Sequence, residues 1–268
     1  MSHEIIRTRK GLLAMRSLEA GEVMHPGVGP LVEADQLYVR QSRLAERLHS
    51  AAGPSLVLFD IGMGAASNAL AARAESERAP NDASRLELVS FERDLGALEL
   101  ALTEPTAFAL EGEPGQAARA LLASGQHETA RTYWRLRHGE LLSALASETS
   151  KADIVFWDPF SPRSNPSLWT AAAFLAVRRV ANPHCTLFTY SASTAVRVAL
   201  LLAGWAVGVG QPIGEKKATT AAAMTAADLA QPLERSWLAR LSRADVPLPA
   251  DAPADVVSRI LASPQIQR

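Results

Sequence analysis

Asp60-Ile-Gly-Met-Gly64 places an acid at the end of a short apolar run and two glycines in the turn after it. Glycines let backbone approach a ligand, the amides opening the next helix can donate to it, and the acid can accept from an amine or hydroxyl. The third glycine of a dinucleotide fingerprint would fall at Ser67, which disfavours NAD and favours S-adenosylmethionine (SAM). SAM has no pyrophosphate to cradle, but its amino-acid part and ribose need a glycine turn and a second acid. Glu92, closing the next apolar run with Arg93 beside it, offers a carboxylate suited to a ribose diol. A tight strand-to-helix turn would explain the two glycines alone; Glu92 at the matching position favours the ligand reading.

The stretch Asp158-Pro-Phe-Ser-Pro-Arg-Ser-Asn-Pro-Ser-Leu-Trp169 is the most informative in the chain. Its prolines hold an irregular loop at a strand end, so Asp158 and nearby aromatics are positioned with little conformational entropy left to lose on binding. A purely structural account would use Phe160 and Trp169 as core anchors and Asp158 as a turn cap. His138-Gly139-Glu140 forms a polar turn suited to an adenine edge, or a plain surface loop.

Other chemistries lack their signatures. The six histidines show no metal-ligand spacing, so no metal is expected. Gly-x-Ser-x-Gly elbows and Walker loops do not occur. Lysine plus arginine number 27 against 28 aspartate plus glutamate, a net charge of −1, so no global basic field holds a polyanion. Arg7, Arg9 and Lys10, or Lys216 and Lys217, could touch phosphate, although short charge clusters are usually solvated faces. The lone Cys185 excludes an internal disulfide framework and fits a reducing, cytoplasmic compartment. Neither an apolar leader nor a membrane-length apolar run is present, which predicts a soluble, unprocessed chain.

These residues need a scaffold, and the 268-residue chain has enough length for one large α/β domain or one domain with a small appendage. Glycines and prolines between about Ile5 and Glu33 suggest extended pieces and turns, among them Gly21, Pro26, Gly27, Gly29 and Pro30. An amphipathic helix is expected over 35–49 with Asp35 as N-cap. Strand and helix then alternate: strand 55–60, helix 66–77, strand 86–92, helix 95–102, irregular 104–116 and a helical piece 117–122. A third strand over 134–137, a helix through Leu145 and a strand over 153–158 come next, the last stopped by Pro159 and Pro162 so that Asp158 stands at its lip. Helix 169–180, strand 185–190, helix 194–202, strand 205–209 and a short strand over 217–223 complete the set. Such alternation predicts an α/β fold with a mostly parallel sheet, helices on both faces and ligands at the strands' carboxyl ends. The tail carries a helix over 232–242, a Pro-rich joint over 246–253 and a helix over 254–262. The expected organisation is an extension (1–50), a Rossmann-like domain (51–225) and a helical tail (226–268).

In these residues the chain resembles the MnmC-like tRNA methyltransferases. The Asp158 to Trp169 loop is similar to that family's Asp-x-Phe-Ala-Pro-x-x-Asn-Pro-x-x-Trp, and Gly62-Met-Gly-Ala-Ala-Ser-Asn68 stands in place of Gly-Phe-Gly-Thr-Gly-Leu-Asn. The likeness spans about residues 20–225, including Gly21-Glu22, the Glu33 to Arg47 segment, Phe188 to Ala192, Val196-Arg197, Ala203 to Trp205 and the Gly214 to Lys217 turn. Departures are Ala66 at the third motif glycine, Ser67, Pro159 and Ser161. The resemblance implies a seven-stranded methyltransferase sheet with its last strand antiparallel, and SAM as donor. It also implies methyl transfer to an aminomethyl group on a wobble uridine of tRNA, with Asp158 beside the acceptor amine. Asp158-Pro-Phe160 also partly matches the Asp/Asn-Pro-Pro-aromatic motif of amino-group methyltransferases, which favours nitrogen as acceptor. Donor-site candidates are Asp60, Gly62, Gly64, Asn68, Glu92, Arg93, Gly139, Glu140 and Asp158; acceptor-site candidates are Phe160, Pro162, Asn165, Trp169 and Tyr190. Another amine or small metabolite as acceptor, or a non-catalytic SAM-binding module, are the alternatives.

Overall fold

A computed structural model describes residues 2–8, 11–24, 30–51, 53–214, 217–241, 247–263 and 265. The first elements are an antiparallel hairpin, β1 (His3–Arg7) and β2 (Leu13–Ser17), followed by α1 (Pro30–Glu33) running into a π-helical segment (Ala34–Arg40) and then α2 (Leu44–Ser50). The single helix expected over 35–49 is therefore broken. Arg43 takes φ 55°, the left-handed region, and ends one helical axis before the next begins. Asp35 lies inside the π-helical segment and pairs with Arg40 at 2.7 Å instead of capping a helix.

Strands β3 (Ser55–Ile61) and β4 (Arg85–Glu92) enclose α3 (Ser67–Arg78), and α4 (Gly96–Ala101) and α5 (Glu113–Ser124) come after them. Helix α5 begins inside the 104–116 stretch expected to be irregular, because Pro114 stands in its first turn, where a missing amide proton costs nothing. Next come β5 (Gln126–Glu128), β6 (Thr132–His138), α6 (Leu141–Ala146), β7 (Ala152–Trp157), α7 (Ala171–Arg179), β8 (Ala181–Thr189), α8 (Thr194–Leu202), β9 (Ala206–Gly210) and β10 (Thr219–Ala223). In the tail, the helix expected over 232–242 is a 3-10 stretch, Arg235–Arg240, and α9 spans Val256–Leu261. The expectations for Arg9, Lys10, Pro26, Gly27, Gly29 and Lys216, and for positions 242 and 246, lie outside the described residues.

Among the described residues the sheet order is β5-β6-β4-β3-β7-β8-β10-β9, with β6, β4, β3, β7 and β8 parallel and β10 antiparallel to both neighbours. Short β5 adds an antiparallel edge strand that the seven-stranded expectation lacked. The inner strands read as nearly continuous apolar runs because both faces are covered. Leu58, Leu88 and Phe156 face one core with α3, α5 and the N-terminal helices, while Phe59, Val89 and Val155 face the other with α7 and α8. Leu37, Leu44 and Leu48 belong to the first core; Trp237, Val256 and Ile260 of the tail belong to the second.

The register brings the candidate residues level. Ile61 pairs with Phe91 of β4 and Trp157 of β7, so the residues next after each of them, Gly62, Glu92 and Asp158, emerge side by side. Gly62 has φ +82°, and a Cβ there would lie 2.8 Å from the Asp158 carbonyl oxygen and from Pro159 N and Cα. Its role is thus to let two strand ends meet. Ala66, at φ 67°, keeps the glycine-like backbone of the turn at a cost of about 1 kcal/mol.

Beneath this turn Asp60 is fully buried. It accepts from Ser90 Oγ at 2.8 Å, Ser90 in turn accepts from Trp134 Nε1 at 2.9 Å, and Asp60 Oδ1 has no partner. Burial raises its pKa to about 7, opposed by the Ser90 hydrogen bond and assisted by the charges of Asp158 and Glu92. The folded state therefore holds a proton that the unfolded chain releases near pH 4, and stability contributed by Asp60 falls as pH rises through about 4 to 7. Asp60→Asn should gain thermal stability relative to wild type across that window, by at least about 4 °C at pH 8 compared with pH 4.5; parallel melting curves at both pH values would contradict it. Gly62→Ala should destabilise by about 2–4 kcal/mol, because backbone rather than a movable side chain fills the space; thermal melts within about 1 °C of wild type would refute this.

Candidate functional site

The strand ends open into a cleft of about 1340 Å³. One part is walled by Gly62, Met63, Gly64, Glu92, Arg93, Asp94, Gly139, Glu140 and Leu141. Glu92 is held in place by backbone amides: Gly64 N donates to Oε2 at 2.9 Å, and Arg93 N and Asp94 N donate to Oε1 at 2.7 and 3.0 Å. Its carboxylate thus ties the glycine turn to the end of β4. Gly139 N donates to the Glu92 carbonyl at 2.9 Å, bringing the third turn alongside. Arg93 reaches across the rim to Glu140 at 3.6 Å and to Glu19 at 3.4 Å.

The other part is walled by Glu22, Glu33, Asp158, Phe160, Asn165, Tyr190 and Ile213. Asp158 comes directly after β7, and Asn68 Nδ2, from the first turn of α3, donates to its Oδ2 at 2.7 Å. Tyr190 donates to the Pro159 carbonyl at 3.1 Å. Burial first, then the charges of Asp158, Glu22 and Glu33, push the Tyr190 phenol well above its ordinary value, so it stays a neutral donor.

The loop after Asp158 is held from both sides. On the outside, Ser161 N donates to Glu22 Oε2 at 3.0 Å, the Ser161 hydroxyl donates to Glu22 Oε1, and Ser164 Oγ donates to the same oxygen at 2.6 Å. Partial burial would raise the Glu22 pKa, but these donors and Arg163 outweigh it and the net shift is downward. On the inside, Trp169 Nε1 donates to the Phe160 carbonyl at 2.7 Å, and its indole packs against Trp157, Phe174 and Tyr190. Asp251 of the tail accepts from Ala171 N and Ala172 N at 3.0 Å each, fixing the start of α7 where the loop ends.

Not every expected residue reaches the cleft. Gly62, Gly64, Glu92, Arg93, Gly139, Glu140, Asp158, Phe160, Asn165 and Tyr190 line it. Asp60 does not: it is buried beneath the turn, because it faces Ser90 and Trp134 in the sheet's first core. Asn68 is buried behind Asp158, Trp169 is 3% exposed within the second core, and Pro162 is not part of the cleft wall. His138 lies outside the wall too, its Nε2 3.1 Å from the Arg93 carbonyl. Glu22, Glu33, Tyr38 and Met24 were not singled out as site residues. They arrive from a segment whose sequence shows no strand-to-turn pattern, and the Gly21-Glu22 and Glu33 to Arg47 resemblance was the one available signal.

The cleft fits an adenosylated donor on structural grounds: a carboxylate fixed at the tip of β4, a glycine turn bonded to it and the Gly139–Glu140 turn alongside line the same wall. Among the described residues no cluster of His, Cys, Asp and Glu could hold a metal ion, and no helix is long and apolar enough to cross a membrane.

Comparison with known proteins agrees with this geometry. Residues 118–225 match the model of an S-adenosyl-L-methionine-dependent methyltransferase family. The chain is 31% identical over 235 residues to the tRNA 5-methylaminomethyl-2-thiouridine biosynthesis bifunctional protein MnmC of Ectopseudomonas mendocina, a match covering 82% of this chain and 34% of that protein. For its namesake in Burkholderia thailandensis the identity is 31% over 201 residues, 69% of this chain and 30% of that one. The chain thus spans about a third of the length of these curated relatives. Among solved structures, MnmC2 from Aquifex aeolicus superposes with a TM-score of 0.71 at 24% identity, covering 97% of this chain and 84% of that one. Spermidine synthase from Thermotoga maritima shares the fold at a TM-score of 0.53 and 10% identity, covering 96% of this chain and 83% of that one. The glycine turn, the Glu92 carboxylate and the Asp158 loop thus share one sheet edge in a chain that is similar to SAM-dependent methyltransferases over residues 118–225 and to MnmC over 235 residues, with the fold of MnmC2.

Proposed function

We propose that this protein methylates the amine of an aminomethyl group on a modified wobble uridine of tRNA. The observation that carries the reading is Asp158: a carboxylate at the strand lip, held by Asn68 at 2.7 Å, standing between the glycine turn and the Phe160–Tyr190 wall. Residues 51–225 are read as the catalytic unit, with 1–50 and 226–268 as extensions that pack onto its two cores. A cytoplasmic location belongs to the same reading.

When bound, SAM supplies an electrophilic methyl group on a sulfonium. In this reading Glu92, Arg93, Gly139 and Glu140 hold the adenosyl part, while the Gly62–Gly64 turn, shaped by its two glycines at positive φ, faces the amino-acid part. Phe160, Asn165 and Tyr190 form the acceptor wall. An aliphatic amine is protonated near neutral pH and has no lone pair to attack with. Asp158 orients the ammonium and takes its proton, directly or through water, as the nitrogen comes into line with the methyl carbon. The carbon–nitrogen bond forms as the carbon–sulfur bond breaks, and the bonding pair leaves with sulfur. Fixing donor and acceptor in line supplies much of the rate, which explains why the acceptor loop is pinned on both sides.

A second reading places a small cationic amine in the same pocket, favoured by the acidic wall of Glu22, Glu33 and Asp158. Methyl-labelled SAM offered with undermodified tRNA, and separately with small amines, distinguishes them. Labelled 5-methylaminomethyl-2-thiouridine is expected in the tRNA, with binding weakening steeply as salt rises. Label in the amines alone would overturn the tRNA reading. Asp158→Asn should bind SAM as wild type does while methyl transfer falls by about 100-fold or more; unchanged turnover would remove Asp158 from the chemistry.

A further inference from the structure

Tyr38 lies in the π-helical segment and has no exposed surface, its ring 5.0 Å from Phe156 in the first core. A buried phenol costs more than a buried phenyl group unless its hydroxyl finds partners. Its single hydroxyl proton has two acceptors to choose between: the Trp157 carbonyl oxygen, at 3.4 Å too far for a good O–H···O bond, and the carboxylate of the next residue, Asp158, whose hydrogen bond with the phenol helps hold the phenol protonated. Asn68 Nδ2 approaches that carboxylate from α3, and its own Oδ1 is buried without a partner, so the amide has been turned to give Asp158 a donor. Seven residues of π-helix are uncommon, and such irregularities recur at functional sites.

We infer that Tyr38 is a positioning residue for Asp158: with Asn68 it forms a pair of buried donors that aims the carboxylate at the cleft and keeps it ionised. This rests on the reading that Asp158 receives the acceptor's proton. The need is electrostatic. Among the described residues, titratable and charged groups from several elements act on this centre: Tyr38 and Glu33 from the N-terminal helical segment, Asp60 from β3, Glu92 from β4, and Tyr190 and Glu22 on the cleft side, with Arg163 acting on Glu22. Glu33 and Asp60 are acids, and crowding acids favours the protonated form of each. Donors directed at Asp158 oppose that tendency. Tyr38 is suited to the task because burial first, then the charge of Asp158, hold its phenol well above the ordinary value, so it donates and does not compete as a base.

Tyr38→Phe keeps the ring and removes the hydroxyl. In protein labelled with carboxyl-13C aspartate, the Asp158 signal is identified by its loss in Asp158→Asn. Its titration midpoint should move up by about one pH unit in Tyr38→Phe. Methyl transfer near neutral pH should fall several-fold and its acid limb should move up with the midpoint, while SAM affinity stays at the wild-type value. An unmoved midpoint overturns the inference. Should Tyr38→Phe fail to fold, wild-type protein carrying 3-fluorotyrosine at its three tyrosines gives the same test. The Tyr38 fluorine signal should shift with the Asp158 midpoint and lose that transition in Asp158→Asn; a signal indifferent to Asp158 overturns it. A moved midpoint together with full methyl transfer in Asp158→Asn would reject the catalytic role of Asp158 and leave its coupling to Tyr38 standing.

Discussion

Two strand ends meet in this molecule with no side chain between them, and the site is built around that contact. Gly62 at the end of β3 packs against the backbone of Asp158 and Pro159 at the end of β7, closer than any Cβ would permit. The parallel register then brings Glu92 level on the other side. The glycine turn and the Asp158 carboxylate thereby share one edge of a sheet whose inner strands are buried on both faces. Rigidity is inherited from the sheet, and placement comes from the absence of one methyl group.

Around this contact the site is held by polar bonds that reach in from distant parts of the chain. Glu22 ties the segment after the hairpin to Ser161 and Ser164, and Asp251 ties the tail to the first turn of α7. Ser161 is one of the departures from the family loop, and its hydroxyl and amide both go to Glu22. Segments before β3 and after β10 are thus part of how the loop after Asp158 keeps its shape. For the methyl transfer proposed above, a loop ordered before the substrate arrives would lower the entropy lost in reaching the transition state of an in-line displacement.

Much of this was legible in the residues. Apolar runs ending in Asp60, Glu92 and Asp158 marked strand ends, glycines and prolines marked the turns beyond those ends, and the alternation marked a parallel sheet. Pattern alone could not decide which way a side chain points at a strand's last residues. Asp60 and Asp158 both close β-runs, yet Asp60 turns into the core toward Ser90 while Asp158, one step past the ladder, lines the cleft. Trp169 and Phe160 belong to one loop and go opposite ways for a similar reason: the indole found a core of Trp157 and Phe174. The N-terminal side was hardest to read. Its helix is interrupted by a π-helical stretch and a left-handed Arg43, neither of which has a residue signature, and these irregularities deliver Tyr38 behind Asp158.

The most direct test of this mechanism is a crystal structure of the protein with SAM bound. The amino-acid part is expected over the Gly62–Gly64 turn, the ribose against Glu92 and the sulfonium methyl directed toward Asp158. A donor bound elsewhere in the cleft, or bound there with its methyl turned away from Asp158, would contradict it.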